Sequence, residues 1–299
     1  MWIHFALFTT LLLPAALLGL RGDAGRRGSP ILLGITFFAF TAFSSFRAVS
    51  VGNDTVEYHR VFKAIAATDS FQEALSISRF EYGYVLVNYL VSRLTQDFNI
   101  LLLITSVFVY GSAVLFIKRY AASYSLALLF AFGMSVFYDL MLAVRQGIAV
   151  AIFLLAVPAL MERKLVRYVL LVVLASQFHV SVLLLLVVYL IPYMRLSTFG
   201  DWFKWGALIG IVMFSLSWLL SWLLISSAYY GHYLHSDYAD GGVRSATVLL
   251  IITRIILLLL AATCGWNASV EADPSGRTRN LLALAVTDVA LVVIALGFN

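Results

Sequence analysis

The 299-residue chain is 62% hydrophobic and 12% charged, against roughly 45–50% and about 25% for an ordinary soluble domain. That balance excludes a soluble globular fold, and the formal charge of +5 sits mostly at helix ends, where it sets orientation instead of binding nucleic acid. Cys264 is the only cysteine, so no internal disulfide can form. The expected fold class is all-α, with residues 1–299 making one integral membrane domain. It is read as a polytopic transmembrane helical bundle of about ten spanning helices, each needing about 20 apolar residues.

In chain order, apolar runs bounded by charge predict spans near 2–20, 31–46, 98–117, 123–140, 147–162, 203–225, 246–264 and 281–298. The first carries Arg21, Arg26 and Arg27 after it instead of before it, so it reads as a retained helix and not as a signal peptide. Between the second and third lies a long extracytoplasmic segment, 47–97. Within it, Tyr82 to Leu94 predicts a short helix, re-entrant or lying in the interface, with Glu81, Asn88 and Ser92 along one polar stripe. Ser123 to Met161 is apolar nearly throughout; as one helix it would be about 58 Å long, so it must turn. The turn is expected where the polar residues fall, from Tyr138 and Asp139 to Arg145, Gln146 and Gly147. Tyr168 to Met194 is either one tilted span or a hairpin broken at His179, and loop charge favours the hairpin. Residues 226–244 form a further outer loop.

This topology gathers Asp54, Tyr58, Glu81, Asp139, Arg145, Gln146 and His179 on the outer side. Arg145 and Gln146 open a helix, whose free amides together with a guanidinium fork suit a phosphate or pyrophosphate. The alternative is a helix-end anchor paired with Asp139. His179 is either a satisfied hydrogen-bonding residue or a proton-exchanging group, since polar side chains at membrane depth are costly and mark sites. Asp54 is a helix cap or a substrate ligand, with Tyr58 one turn later, and Glu81 is a candidate base or a solvated carboxylate. The loop Tyr229 to Tyr238 suits a sugar or an interfacial aromatic belt, and no metal is expected at His232 and His235. Arg254 and Asp288, in different spans, are expected to form a structural ion pair.

Four motifs carry a family resemblance: Gly52-Asn53-Asp54-Thr55 with Tyr58, Phe80-Glu81-Tyr82-Gly83-Tyr84, Val144-Arg145-Gln146-Gly147-Ile148-Ala149, and Ala175-Ser176-Gln177-Phe178-His179-Val180-Ser181. In this order they resemble the EpsG-like family of exopolysaccharide-synthesis membrane proteins, related in role to the Wzy polysaccharide polymerases. The resemblance spans about residues 35–195. It implies a glycosyltransferase at the outer face of the bacterial cytoplasmic membrane, moving a growing glycan from polyprenyl pyrophosphate to an incoming lipid-linked unit. Its implied partners are a polyprenyl-pyrophosphate-linked oligosaccharide, membrane lipid and other polysaccharide-assembly proteins. No metal or nucleotide cofactor is implied, because the donor is already activated. By this resemblance Arg145 would stabilise the leaving group, His179 or Glu81 would take the acceptor proton, and Asp54, Tyr58, Gln146 and Asp139 would bind the sugar. The competing functions are a transporter or flippase for lipid-linked sugars and another lipid-linked sugar transferase, a ligase or acyltransferase. No internal repeat is visible and the polar groups gather toward one face, which ranks the transporter second.

Overall fold

A computed structural model describes residues 30–52 and 54–193, with isolated positions between 200 and 256. These residues fall into two compact units, one running to Val157 and including Leu170–Val182, the other comprising Pro158–Val169 and the described residues from Leu183 onward. Every regular element among them is helical. The elements are α1 (Pro30–Ser45), α2 (Thr55–Ala66), α3 (Phe71–Ile77), α4 (Tyr82–Ser92), α5 (Phe98–Tyr120), α6 (Tyr124–Gly133), α7 (Val136–Leu142), α8 (Val144–Met161) and α9 (Leu165–Ser176), followed by a 3-10 helix over Val180–Tyr193.

Length decides which of these can cross a bilayer. At about 1.5 Å per residue, α5 reaches about 34 Å and α8 about 27 Å, and both are apolar enough to span. The pair α6 and α7 is a third candidate, bent by 56° at its break, as a broken span or a re-entrant loop. Helix α1, α9 and residues Val180–Leu190 are shorter apolar helices. The expected spans 2–20 and 281–298 and the loop 226–244 lie outside the described residues, and those at 203–225 and 246–264 are described only at isolated positions.

In the first unit α1 packs along α5. Hydroxyl side chains let the two helices approach and bond, as membrane helix pairs do: Ser106 Oγ donates to Ser44 Oγ at 2.7 Å. Leu32, Leu33 and Phe40 of α1 and Tyr110 and Ala113 of α5 share one core with Tyr124, Leu128, Phe137 and Met141 of the broken pair. Phe40 stacks on Phe137 with ring centroids 4.5 Å apart, and the Tyr110 hydroxyl donates to the Phe137 carbonyl at 2.9 Å.

This break is an additional bend, not anticipated, that precedes the expected turn. Tyr138 and Asp139 lie inside α7, and the helix stops earlier, at Gly133. Ser135 adopts left-handed backbone geometry, φ 60°, and the Met134 and Ser135 amides return to the Phe130 and Phe132 carbonyls. A glycine followed by a left-handed residue ends a helix more effectively than polarity does, because it alters backbone geometry directly. A second interruption at Ala143 starts α8 just before Arg145. The polar pair at 138 and 139 therefore rides on a helix, whereas Arg145 and Gln146 open one as expected.

In the second unit the chain doubles back. The Tyr189 hydroxyl donates to the Arg163 carbonyl at 2.6 Å, the Tyr168 hydroxyl donates to the Leu185 carbonyl, and the Tyr168 and Tyr189 rings lie 5.4 Å apart. Early residues thus meet late ones, which makes 163–189 an antiparallel hairpin.

Segment 47–97 folds as a small helical layer rather than a loop with one helix. Val61 and Ile65 of α2, Ala74 of α3 and Val85 of α4 form its core. Helix α4, about 16 Å long, is too short to span. Its polar stripe faces inward: Asn88 and Ser92 are buried, and Asn88 Nδ2 donates to the Tyr84 carbonyl at 2.7 Å. Arg93 ties the layer together, donating to the carbonyls of Thr68, Ile65 and Ala66 at 2.9, 3.1 and 3.0 Å, where a cation also complements the end of α2. Arg93→Ala is expected to cost about 1–3 kcal/mol through these charge-assisted bonds. Thermal unfolding of the detergent-solubilised protein checks it, and an unchanged midpoint would show that the strap carries no weight.

Candidate functional site

The second and fourth motifs dock backbone to backbone. The amides of Gly83 and Tyr84, in the first turn of α4, donate to the Gln177 carbonyl at 2.8 and 3.3 Å. Helix α4 begins with unpaired amides, and the chain leaving α9 supplies their acceptor. The approach is close enough that a Cβ on Gly83 would lie 2.8 Å from the Gln177 oxygen and 2.9 Å from its Cβ. Glycine is therefore required at 83.

Glu81 occupies the N-cap position of α4, but its side chain makes no capping bond. It points instead to the other motifs. Arg145 Nη1 donates to Glu81 Oε2, forming an ion pair whose side chains are 15% and 10% exposed. The other carboxylate oxygen, Oε1, accepts from the Val180 amide at 3.4 Å and lies 3.7 Å from His179 Nδ1. One carboxylate thus stands between the guanidinium and the imidazole. The expected alternative for Arg145, pairing with Asp139, is replaced by pairing with Glu81.

Aromatic rings complete the setting. The Arg145 guanidinium lies 4.2 Å from the Phe80 ring centroid and 6.0 Å from that of Tyr58, a cation–π arrangement that holds its plane in place. Tyr58, Phe80 and Tyr84 meet edge to face with centroids 5.4–5.6 Å apart. Burial pushes the Tyr58 phenol up to about 12, so it keeps its proton and donates. The Tyr58 hydroxyl reaches Asp54 Oδ2 at 3.4 Å.

The first motif positions this tyrosine. Gly52 has φ +102°, a conformation that side chains rarely adopt. The Thr55 hydroxyl donates to the Val51 carbonyl at 2.7 Å, and α2 then carries Tyr58 inward, 2% exposed. Asp54 sits at the N-cap position as expected, yet its side chain makes no capping bond. It is exposed, as are Gln146 and Asp139.

For His179, burial lowers the imidazole below its ordinary value of 6.5; Glu81 pulls it up and Arg145 pushes it down. The ring is therefore neutral at pH 7, with a carboxylate placed to receive it once protonated. Among the described residues no group of three or more His, Cys, Asp and Glu side chains forms a metal site. Arg254 is helical and half-buried, and its expected partner Asp288 lies outside the described residues. The sequence reading gave no role to Phe80, Gly83 or Gln177. Their adjacency to Glu81 and His179 was the only signal, and contact across 94 residues of chain is invisible to spacing.

Gly83→Ala is expected to lower thermal stability by about 1–3 kcal/mol, the usual cost of overpacking against backbone. Gly34→Ala is the matched control, because nothing lies within 4 Å of a Cβ there. It should be neutral or gain up to about 1 kcal/mol of helix propensity. Equal effects at both positions would refute the close docking.

The chain matches the EpsG family over residues 30–298. No curated protein and no solved structure matches it.

Proposed function

Because the chain belongs to the EpsG family, we propose that it is an extracellular polysaccharide polymerase, a multi-pass protein of the bacterial cytoplasmic membrane with its site on the extracytoplasmic face. On this reading it transfers a growing glycan from polyprenyl pyrophosphate to a hydroxyl of an incoming lipid-linked repeat unit. The whole bundle on this reading has about ten helices. The observation that carries the reading is the Glu81 carboxylate shared between Arg145 and His179. It supports an anion-stabilising cation and a neutral base within one site, which glycosyl transfer from a pyrophosphate needs and simple packing does not.

The proposed reaction follows from charge. The acceptor hydroxyl oxygen forms a bond to the anomeric carbon while the bond from that carbon to the pyrophosphate oxygen breaks. His179 takes the hydroxyl proton as general base, and Glu81 Oε1 stabilises the imidazolium that results. The electron pair of the broken bond leaves with polyprenyl pyrophosphate, toward Arg145. Its guanidinium keeps donors for that purpose, since Nη1 holds Glu81 and the buried Nε has no acceptor. Tyr58, Asp54, Gln146 and Asp139 are assigned to the sugar hydroxyls.

The test uses the purified full chain with lipid-linked oligosaccharide in detergent, where a transporter has no second compartment and only an enzyme lengthens chains. Arg145→Ala should slow elongation by about 10²–10³-fold and His179→Asn by about 10²–10⁴-fold. Near-normal product ladders from Arg145→Ala in stably folded protein would remove the assignment. The pH profile is a separate check. A base whose folded value lies below 6.5 is active in its neutral form, so the rate should stay level from about pH 8 to pH 7 and fall only below the ordinary histidine value. A decline already between about pH 8 and 7 contradicts His179 as the base.

A further inference from the structure

Arg47, just past α1, is 6% exposed, yet among the described residues no carboxylate pairs with it. Its Nη1 donates to the Ser44 carbonyl at 2.8 Å and to Ser44 Oγ at 3.0 Å. Its Nη2 reaches Thr55 Oγ1 only at 3.5 Å, and its buried Nε has no acceptor. A guanidinium taken out of water and held by neutral oxygens alone carries a desolvation cost that those bonds do not offset.

The neighbourhood repeats the pattern. Arg145 Nε and the Tyr84 hydroxyl are also buried without an acceptor. A narrow cleft of about 10 Å³, room for roughly one water, is lined by Ser44, Thr105, Ser106, Tyr110 and Val144, among others. The two arginines are linked through α2: Arg47 Nη2 lies 3.5 Å from Thr55 Oγ1, one turn before Tyr58, whose ring centroid is 6.0 Å from the Arg145 guanidinium. Tyr58 and Tyr84, with rings 5.6 Å apart, stand within electrostatic range of both guanidiniums. Water could satisfy the loose donors, but it would leave the Arg47 charge without a counter-ion. A group that brings both acceptor oxygens and negative charge resolves donors and charge together.

We propose that Arg47 is a second oxyanion-binding residue of the site, taking the second phosphoryl group of the pyrophosphate whose other phosphoryl group meets Arg145. This rests on the assignment of Arg145 given above. A diphosphate carries one oxyanion for each fork, which a monophosphate does not, so the pair distinguishes the two.

The experiment measures binding of farnesyl pyrophosphate, farnesyl monophosphate and phosphatidylglycerol to the full chain in detergent, for the unaltered protein, Arg47→Gln, Arg47→Lys and Arg145→Gln. The unaltered protein should prefer the pyrophosphate over the monophosphate by about tenfold or more, the size of one charge-assisted bond. Arg47→Gln should erase that preference while leaving monophosphate affinity within about threefold, because only the second phosphoryl contact is lost. A full preference retained in folded Arg47→Gln, with Arg145→Gln impaired, overturns the role of Arg47 and spares that of Arg145. Absence of any pyrophosphate preference in the unaltered protein, with neither arginine affecting binding, overturns both. An equal loss of phosphatidylglycerol binding in Arg47→Gln assigns Arg47 to a lipid headgroup and also overturns the proposal. If Arg47→Gln does not fold, Arg47→Lys decides. A point charge without the fork should keep a weakened preference, and a preference identical to that of the unaltered protein refutes the proposal.

Discussion

One buried carboxylate organises the first unit. Glu81 is 10% exposed and holds the Arg145 guanidinium with one oxygen while the other faces His179 and the Val180 amide. Removing either partner of a buried pair leaves an uncompensated charge, at a cost of about 3–5 kcal/mol. This constraint fixes three separate parts of the chain: the start of α4, the start of α8 and the segment between α9 and the 3-10 helix. The Gln177 carbonyl locks the same junction from the backbone side by accepting the Gly83 and Tyr84 amides. Side-chain charge and main-chain hydrogen bonds thus specify one arrangement, which agreement across levels makes unique.

Helix interruptions make the site possible. A continuous helix satisfies its own backbone and offers only side chains, whereas a break in a membrane bundle must find partners within the protein or face a cavity. Here the break after Gly133 is met by the Met134 and Ser135 amides, which return to the Phe130 and Phe132 carbonyls. The interruption at Ala143 starts α8 at Val144, just before Arg145, and the one after Ser176 brings His179 to Glu81. The small layer of α2, α3 and α4 then closes over them, carrying Tyr58 and Phe80 against the guanidinium.

Much of this organisation was legible in the residues. The run from Ser123 to Met161 had to turn because no bilayer accommodates its length, and Arg145 does open the helix that follows. The stripe of Glu81, Asn88 and Ser92 marked one face of a helix, and the structure turns that face inward. What could not be read was contact. Spacing within a helix says which residues share a face, but not that Glu81 meets Arg145 across 64 positions. The expected turn within 138–147 falls at Ala143, but the earlier bend at left-handed Ser135 carried no signal, because apolar sequence on both sides conceals a change of backbone geometry. Arg47 opens the extracytoplasmic segment 47–97, and sequence cannot distinguish a solvated guanidinium from one that is 6% exposed.

A carboxylate shared between a cation and a base also couples the two ends of the proposed reaction. While Arg145 pairs with Glu81, the negative charge that His179 feels is partly neutralised, and burial keeps the imidazole unprotonated. As negative charge accumulates on the departing pyrophosphate, it competes for the guanidinium, and the charge on Glu81 becomes less screened. That change favours the imidazolium at the moment the acceptor proton arrives. Departure of the leaving group and capture of the proton are then linked through a single side chain at 3.7 Å from the imidazole. The arrangement favours the transition state, where the leaving group gains negative charge and the imidazole gains a proton, over the ground state, where neither change has occurred.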